Sequence, residues 1–201
     1  MTREAVFTEI YSTNFWGSQE SFSGSGSELQ HTDTMRSNLP AIIEQYDIKS
    51  IFDAGCGDWN WLRHVDIDVE YTGADIVKSL VDDLTQKYQK SNVRFIHTDV
   101  VENKFARHDL VIARDILFHL SYRDIKMFLD NFLESESKFL LTTHSGEHEN
   151  IDIESGSWRF INLFDAPFCF APPIYTFDDV KGRQKMCLFK RDDLAVETIK
   201  I

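Results

Sequence analysis

The stretch Ser50–Asp58, which reads Ser-Ile-Phe-Asp-Ala-Gly-Cys-Gly-Asp, constrains the fold of this chain more than any other segment. Ile51 and Phe52 predict a short buried strand, and the glycines that follow predict a tight turn. Because glycine lacks a side chain, a Gly-x-Gly turn lets the backbone pass close to a ligand. Asp53 stands at the carboxyl end of the strand, where open α/β sheets bind their ligands. The stretch therefore predicts a ligand-binding turn.

A second carboxylate follows at the spacing at which a nucleotide ribose is usually held. The strand-like residues 69–74 end on Asp75, about 20 residues after Gly55 and Gly57. A dinucleotide site would need a third glycine for close packing of helix and strand, and Asn60 stands at that place. The pattern therefore departs from the dinucleotide fingerprint.

The remainder of the chain alternates strand-like and helical patterns. Five strand-like segments come first, at residues 51–52, 69–74, 93–97, 110–113 and 138–143. They predict a parallel sheet with crossover connections. Two later segments, 173–177 and 184–189, are joined by a turn at Lys181 and Gly182 and predict an antiparallel hairpin.

Three predictions about helices depend on local signals. Apolar residues within 28–46 recur at helical spacing, and Pro40 is expected to break or restart that helix. A helix that begins directly after the glycines, over residues 59–65, would present its first amides to an anion. Ser121 and Asp124 read as a capping pair for a helix with apolar residues through Phe132.

Residues 1–28 form an amino-terminal extension to what is otherwise a single domain of 201 residues. The run Ser21–Ser27 is typical of a flexible linker. Phe22 lies inside the run, and several aromatic residues precede it, which favours a lid that docks over the ligand. Both interpretations stay open.

Composition narrows the function classes. The formal net charge of −12 disfavours a nucleic-acid partner, because such a surface repels phosphate backbones. The three cysteines are widely spaced, as expected in a reducing compartment. No apolar run reaches about 18 residues and no signal peptide is evident, so a cytoplasmic protein without a membrane span is expected. The oligomeric state cannot be predicted.

The acid-x-Gly-x-Gly pattern of Asp53, Gly55 and Gly57 resembles motif I of the class I S-adenosylmethionine-dependent methyltransferases. More narrowly, four segments are similar to those of a group of small bacterial-type methyltransferases: Asp53–Asp58, Arg114–Leu120, Arg159–Leu163 and Pro167-Phe168. The resemblance covers roughly residues 40–190. It implies an α/β, Rossmann-like three-layer sandwich whose mostly parallel seven-stranded sheet ends in an antiparallel hairpin.

The resemblance also implies a cofactor site for S-adenosylmethionine. In this family an acid at the end of the third strand contacts the adenine, and Asp99 matches it. The implied cofactor-binding residues are Asp53, Gly55, Gly57, Asp75, Ile76, Asp99, Val100 and Arg114. The expected activity is methyl transfer to a small-molecule or sugar-like acceptor, preferentially at oxygen.

Three residues near strand ends are candidates for serving the acceptor: His119, Asp115 and His144. A neutral imidazole could take a hydroxyl proton near physiological pH, which favours His119 as the base. His119 could instead be packed against the sheet edge, and Asp115 could bind the cofactor or pair with Arg114. His144 could be a turn residue.

Other functions compete with this prediction. The residues from His144 to His148 spell H-x-x-E-H, a zinc motif that works only on a helix, whereas Gly146 argues for a loop. No resident metal is therefore predicted, although a divalent ion held by Asp115 and His144 stays a weaker possibility. A cofactor-binding module without catalysis and a nucleic-acid methyltransferase also compete with the predicted small-molecule enzyme.

Overall fold

A computed structural model of the chain describes residues 1–146 and 148–194. Its strands are β1 Ser50–Ala54, β2 Glu70–Asp75, β3 Val93–His97, β4 Leu110–Ala113, β5 Phe139–His144, β6 Tyr175–Asp179 and β7 Gln184–Lys190. They form one sheet of order β3-β2-β1-β4-β5-β7-β6. The first five strands are parallel, and β7 pairs antiparallel with both β5 and β6. The predicted parallel sheet with a terminal hairpin is confirmed.

The chain reverses its direction across the sheet between β1 and β4. From β1 it proceeds outward through β2 to β3, and it then returns to place β4 on the other side of β1. Asp53 in β1 lies opposite Ile112 in β4. Ligands of open α/β sheets bind outside the carboxyl ends of the strands at such a switch point. The topology therefore fixes where a ligand site is to be sought.

The described α-helices are α1 Arg3–Ser12, α2 Asp33–Gln45, α3 Lys78–Tyr88 and α4 Tyr122–Glu134. Buried residues of α2 and α3 share one hydrophobic cluster, and those of α4 belong to a second cluster. β1 and β4 contribute to both clusters, because alternate residues of a strand point to opposite faces. The molecule thus has three layers, with the sheet between two helical layers. Ser121 caps α4 as predicted, since its hydroxyl accepts a hydrogen bond of 3.2 Å from the Asp124 amide.

The prediction that Pro40 breaks its helix is wrong. α2 runs through Pro40 without interruption, and Asn38 lies within it and accepts a hydrogen bond from the Tyr175 hydroxyl at 2.8 Å. A proline inside a helix costs about 3 kcal/mol. Burial of Met35, Leu39 and Ile42 against the sheet contributes about 1.5–3 kcal/mol for each side chain, which exceeds that cost.

The prediction of a helix directly after the glycines is also wrong. The segment contains only a short 3₁₀ turn, Leu62–His64, and Trp59 has a left-handed backbone with φ of 57°. Asn60 donates to the Ser27 carbonyl at 3.0 Å and to the Glu20 carboxylate at 2.7 Å. The segment is thus held by residues of the amino-terminal extension, and it offers no helix terminus to an anion. None of the described helices is both long and apolar enough to traverse a bilayer.

Candidate active site

A cavity of about 460 Å³ opens at the carboxyl ends of the parallel strands, at the switch point between β1 and β4. This volume lies within the range of about 300–1,000 Å³ that is usual for small-molecule sites. The cavity is lined by the turns that follow β1 to β4, by part of the loop after β5, by the β6–β7 turn and by the amino-terminal extension.

The glycine turn forms the floor of the cavity. Gly55 and Gly57 have φ values of 70° and 55°, a region that favours glycine. A Cβ atom on Gly57 would lie 2.3 Å from the Ser23 hydroxyl, and one on Gly55 would lie 3.2 Å from Ile116. Both glycines are thus required by backbone conformation and by close neighbours.

Asp75 is fixed to the glycine turn. Its carboxylate accepts hydrogen bonds from the amides of Gly57 at 3.1 Å and Val77 at 3.0 Å. Burial raises the pKa of Asp75, while these backbone hydrogen bonds oppose the rise. A carboxylate has about four acceptor positions, so Asp75 keeps capacity for the hydroxyls of a ligand.

Asp53 is buried at the base of the cavity. The hydroxyl of Tyr71 donates to its carboxylate at 2.7 Å. Burial raises the pKa of Asp53 to about 7, the nearby Asp75 adds to the rise, and the bond from Tyr71 and the charge of Arg114 oppose it. Asp53 therefore changes its charge near neutral pH.

Arg114 connects three parts of the chain at the cavity. Its guanidinium donates to Asp179 at 2.8 Å and to the Gly26 carbonyl at 2.8 Å, and it lies 3.2 Å from Asp115. Burial lowers the pKa of Arg114, but Asp115 and Asp179 raise it more, so the side chain stays charged. The β4 end, the β6–β7 turn and the amino-terminal extension are thus joined by one cation.

Asp115 has a left-handed backbone with φ of 59°, an uncommon conformation for a residue with a side chain. Its amide donates to the Thr143 hydroxyl at 2.8 Å, and that hydroxyl donates back to the Asp115 carboxylate at 3.1 Å. Such strain persists where the surroundings hold it, and it clusters at functional sites.

The local hydrogen bonds of His119 define its tautomer. Nδ1 lies 2.8 Å from the Ser157 carbonyl oxygen, which can only accept a hydrogen bond. Nδ1 therefore carries the proton in the neutral ring, and Nε2 keeps a free lone pair. Burial lowers the pKa of His119 to about 4, and the charge of Arg159 contributes to the decrease. The imidazole is neutral at physiological pH.

Asp99, at the end of β3, is paired with a residue of the amino-terminal extension. The guanidinium of Arg3 lies 2.6 Å from Asp99 and 2.9 Å from Asp124. The remaining oxygen of Asp99 accepts from the Val101 amide at 3.0 Å. Arg3 thus fastens α1 across this edge of the sheet.

The structure brings all but one of the predicted site residues to the cavity. Its lining includes Asp53, Gly55, Gly57, Asp75, Ile76, Asp99, Val100, Arg114, Asp115 and His119. His144 does not line the cavity. It is buried beside Phe164 at a ring distance of 4.5 Å, and its Nδ1 accepts from the Leu163 amide at 3.3 Å.

The H-x-x-E-H segment does not form a helix where it is described. His144 ends β5, and His148 lies in a loop and stacks on Phe160 at 4.1 Å. Glu147 lies outside the described residues. Within residues 1–146 and 148–194, no group of three or more His, Cys, Asp or Glu side chains is placed to hold a metal ion.

Sequence reasoning weighed a lid in the amino-terminal extension, but it did not identify the contribution of Arg3 in α1. Arg3, Trp16 and Ser23 line the cavity. The aromatic residues of the extension were the available signal, whereas the ion pair of Arg3 joins residues about a hundred positions apart and has no local signature.

Part of the sequence of this chain matches a known protein family. Residues 51–137, which carry most of β1 and all elements through α4, match the family model described as a methyltransferase domain. No curated protein sequence matches the chain.

Several crystallised methyltransferases share the fold. Magnesium protoporphyrin IX methyltransferase from Synechocystis PCC 6803, crystallised with S-adenosylmethionine, superposes with a TM-score of 0.68 at 16% identity, covering 95% of this chain and 98% of that one. The N-methyltransferase NodS from Bradyrhizobium japonicum, in complex with S-adenosylhomocysteine, gives 0.63 at 9% identity, with coverages of 90% and 97%. The mitomycin 7-O-methyltransferase MmcR gives 0.60 at 12% identity, with coverages of 79% and 54%. This chain therefore has the seven-stranded α/β methyltransferase fold.

Proposed function

We propose that this chain is an S-adenosylmethionine-dependent methyltransferase that acts on a small molecule at an oxygen atom. One observation carries the proposal. A single cavity joins the glycine turn and strand-end carboxylates to His119, a neutral histidine with a free lone pair. The methyltransferase-domain match over residues 51–137 supports the reaction class, and structural neighbours crystallised with the cofactor or its product support the cofactor.

The residues that line the cavity fit this cofactor. Gly55 and Gly57 line the cavity with positive φ, so no side chain of the turn stands between its backbone and a ligand. Asp75 would hold the ribose hydroxyls, and Ile76, Asp99 and Val100 would surround the adenine. Asp53 and Arg114, which also line the cavity, would face the amino-acid end. Because Asp53 has a pKa of about 7, the positive charges of the cofactor would favour its ionised form.

When bound, the cofactor would supply a methyl group on a positively charged sulfur, and the electron pair of the carbon–sulfur bond would stay on the neutral thioether after transfer to an acceptor oxygen. His119 takes the acceptor's hydroxyl proton on Nε2, and Ser157 holds the ring in the required tautomer. A positioned base contributes about 10²–10⁴-fold to the rate, and the lower end of this range is expected here because a pKa of about 4 makes His119 a weak base.

In the proposed enzyme, the amino-terminal extension acts as a lid over the cavity. Residues 22–27 line the cavity, and Gly26 and Ser27 are bound by Arg114 and Asn60. A lid that closes over the ligands keeps water from the reacting atoms and helps to align them. Asp115, which lies beside Gly26, would then be covered when the site is closed.

Calorimetry with S-adenosylmethionine, followed by measurement of S-adenosylhomocysteine release with an acceptor mixture, tests the proposal. His119→Ala should lower turnover by about 100-fold, because the base is lost, while cofactor affinity stays nearly unchanged. His64→Ala is the matched control, since His64 is exposed and lies outside the cavity lining. Absence of cofactor binding by the wild type would refute the proposal. Binding without turnover would leave only a cofactor-binding module.

A further inference from the structure

Aromatic side chains line the cavity beside His119. We call Trp16, Phe118, Trp158 and Phe160 the aromatic wall. The rings of Trp16 and Phe118 lie 5.0 and 4.6 Å from the imidazole of His119. Phe118 lies 6.2 Å from Trp158, which in turn lies 4.7 Å from Phe160. The wall is thus continuous with the proposed base.

Backbone hydrogen bonds hold the parts of the wall together. The loop that carries Trp158 and Phe160 donates to the turn after β4 through two amides. Gly156 donates to the His119 carbonyl at 2.8 Å, and Arg159 donates to the Phe118 carbonyl at 3.2 Å. The positions of the rings are therefore fixed by backbone hydrogen bonds as well as by ring–ring packing.

Two rings of the wall are left open to solvent. Trp158 is 52% exposed and Phe160 is 38% exposed. Removing such apolar surface from water is favourable, and contiguous apolar patches of this kind mark binding grooves. Binding of a ligand that covers these rings would therefore be stabilised by the burial of their apolar surface.

The absence of charge on the wall side chains favours an apolar ligand over a polar one. The wall side chains carry no charge, and Arg159 lies outside the cavity lining, 3% exposed, with its guanidinium bound to the Leu120 carbonyl at 2.7 Å. A sugar has hydroxyls around its whole ring, so it would cover less of this apolar surface than an aromatic ring of the same size. A flat aromatic ring would instead stack on the wall side chains.

We infer that the acceptor is a flat aromatic compound with a ring hydroxyl, bound with its ring against the aromatic wall and its hydroxyl at Nε2 of His119. The inference rests on the proposed function and names its substrate class. It favours an aromatic acceptor over a sugar-like one.

Calorimetry on the full chain with saturating S-adenosylhomocysteine tests the inference. The probes are naphthol, its saturated counterpart decahydronaphthol, and methyl glucoside. Naphthol should bind about tenfold more tightly than decahydronaphthol, and methyl glucoside should not compete with it. Trp158→Leu should weaken naphthol binding two- to tenfold, because it removes one stacking partner, and Trp158→Phe should restore part of the loss. Phe15→Leu is the control, since Phe15 is 73% exposed and lies outside the cavity lining.

Three results would overturn the inference: equal binding of naphthol and decahydronaphthol, competition by methyl glucoside, or equal effects of Trp158→Leu and Phe15→Leu. Phe160→Leu is the second variant if Trp158→Leu does not fold, and an unchanged affinity would then count against the wall. The same samples report S-adenosylhomocysteine binding. A protein that binds S-adenosylhomocysteine but not naphthol refutes the aromatic acceptor alone, whereas loss of both refutes the proposed function.

Discussion

At the scale of single residues, the buried carboxyl of Asp53 lowers the stability of the folded protein when it is ionised. Burial shifts its pKa from 3.8 to about 7, so ionising this carboxyl inside the protein is unfavourable. An uncharged side chain would fit the core of β1 better. A buried group with so large a shift is a candidate for function, and the proposed contact with a positively charged ligand explains its presence.

The Asp53→Asn variant should be more stable than the wild type at high pH. The folded-state pKa is raised, so the unfavourable contribution is absent below the unfolded value of 3.8, increases as pH rises from 3.8 to about 7, and stays constant above that. At pH 8 the gain should be on the order of a few kcal/mol, since each pKa unit corresponds to about 1.4 kcal/mol. Asparagine can still accept the hydrogen bond from Tyr71.

Urea denaturation at pH 4 and pH 8 measures this difference. The two proteins should be similar at pH 4 and diverge at pH 8, and the variant should bind S-adenosylmethionine more weakly. Asp83→Asn, on the exposed face of α3, serves as the control and should show no such divergence. A variant that is equally destabilised at both pH values would contradict the assignment of a raised pKa to Asp53.

At the scale of elements, the strap (residues 18–27) depends on the turn after β1. Asp58 accepts from the Ser21 hydroxyl at 2.9 Å and from the Phe22 amide at 2.9 Å. The Asp58 amide donates to the Ser23 hydroxyl at 2.7 Å. One carboxylate thus joins the strap to the glycine turn of the proposed cofactor site.

Asp58→Ala should release the strap. The variant loses the two hydrogen bonds that the strap donates to a charged group, and such bonds contribute about 1.5–3 kcal/mol each. Chymotrypsin should then cleave faster after Phe22, which lies in the strap, and S-adenosylhomocysteine should dissociate about tenfold faster or more. Cleavage after Phe15, outside the strap, is the internal reference, and Asp82→Ala on α3 is the control variant. An unchanged ratio of the two cleavage rates would show that Asp58 does not hold the strap.

Some features of these elements could be predicted from the sequence, and others could not. The alternation of β1 to β5 and the capping of α4 by Ser121 are local patterns, and both were predicted. α2 passes through Pro40 because burial of the helix's own apolar side chains against the sheet outweighs the local preference of proline. The short turn after the glycines depends on Asn60 meeting Ser27, a contact between segments that no local period encodes. The strand-end residues of the site follow from topology, whereas the role of Arg3 follows only from the folded arrangement.

At the scale of the whole molecule, charge separates the candidate ligands. The chain carries a formal net charge of −12, which opposes the approach of polyanions. Within the cavity lining, Arg3 and Arg114 are already paired with carboxylates. A pyrophosphate would find neither of these guanidiniums free of its carboxylate and would be left with the exposed Arg183, whereas a cationic sulfonium would meet Asp53 and Asp75.

S-adenosylhomocysteine should raise the melting temperature of the whole domain, because the cavity it would fill exists only when α1, the strap and the strand ends are assembled. At a concentration 100-fold above its Kd, binding to the folded state alone stabilises by about 2.7 kcal/mol. For a domain of this size, that corresponds to an increase of about 5–10 °C. Differential scanning calorimetry over a ligand series measures the shift, with NAD as the control because Asn60 replaces the third glycine of a dinucleotide turn. S-adenosylmethionine should act like its product, and NAD should leave the transition in place. An equal shift with NAD would mean that the cavity binds nucleotides by their adenosine alone, and it would remove the distinction between the two cofactor classes.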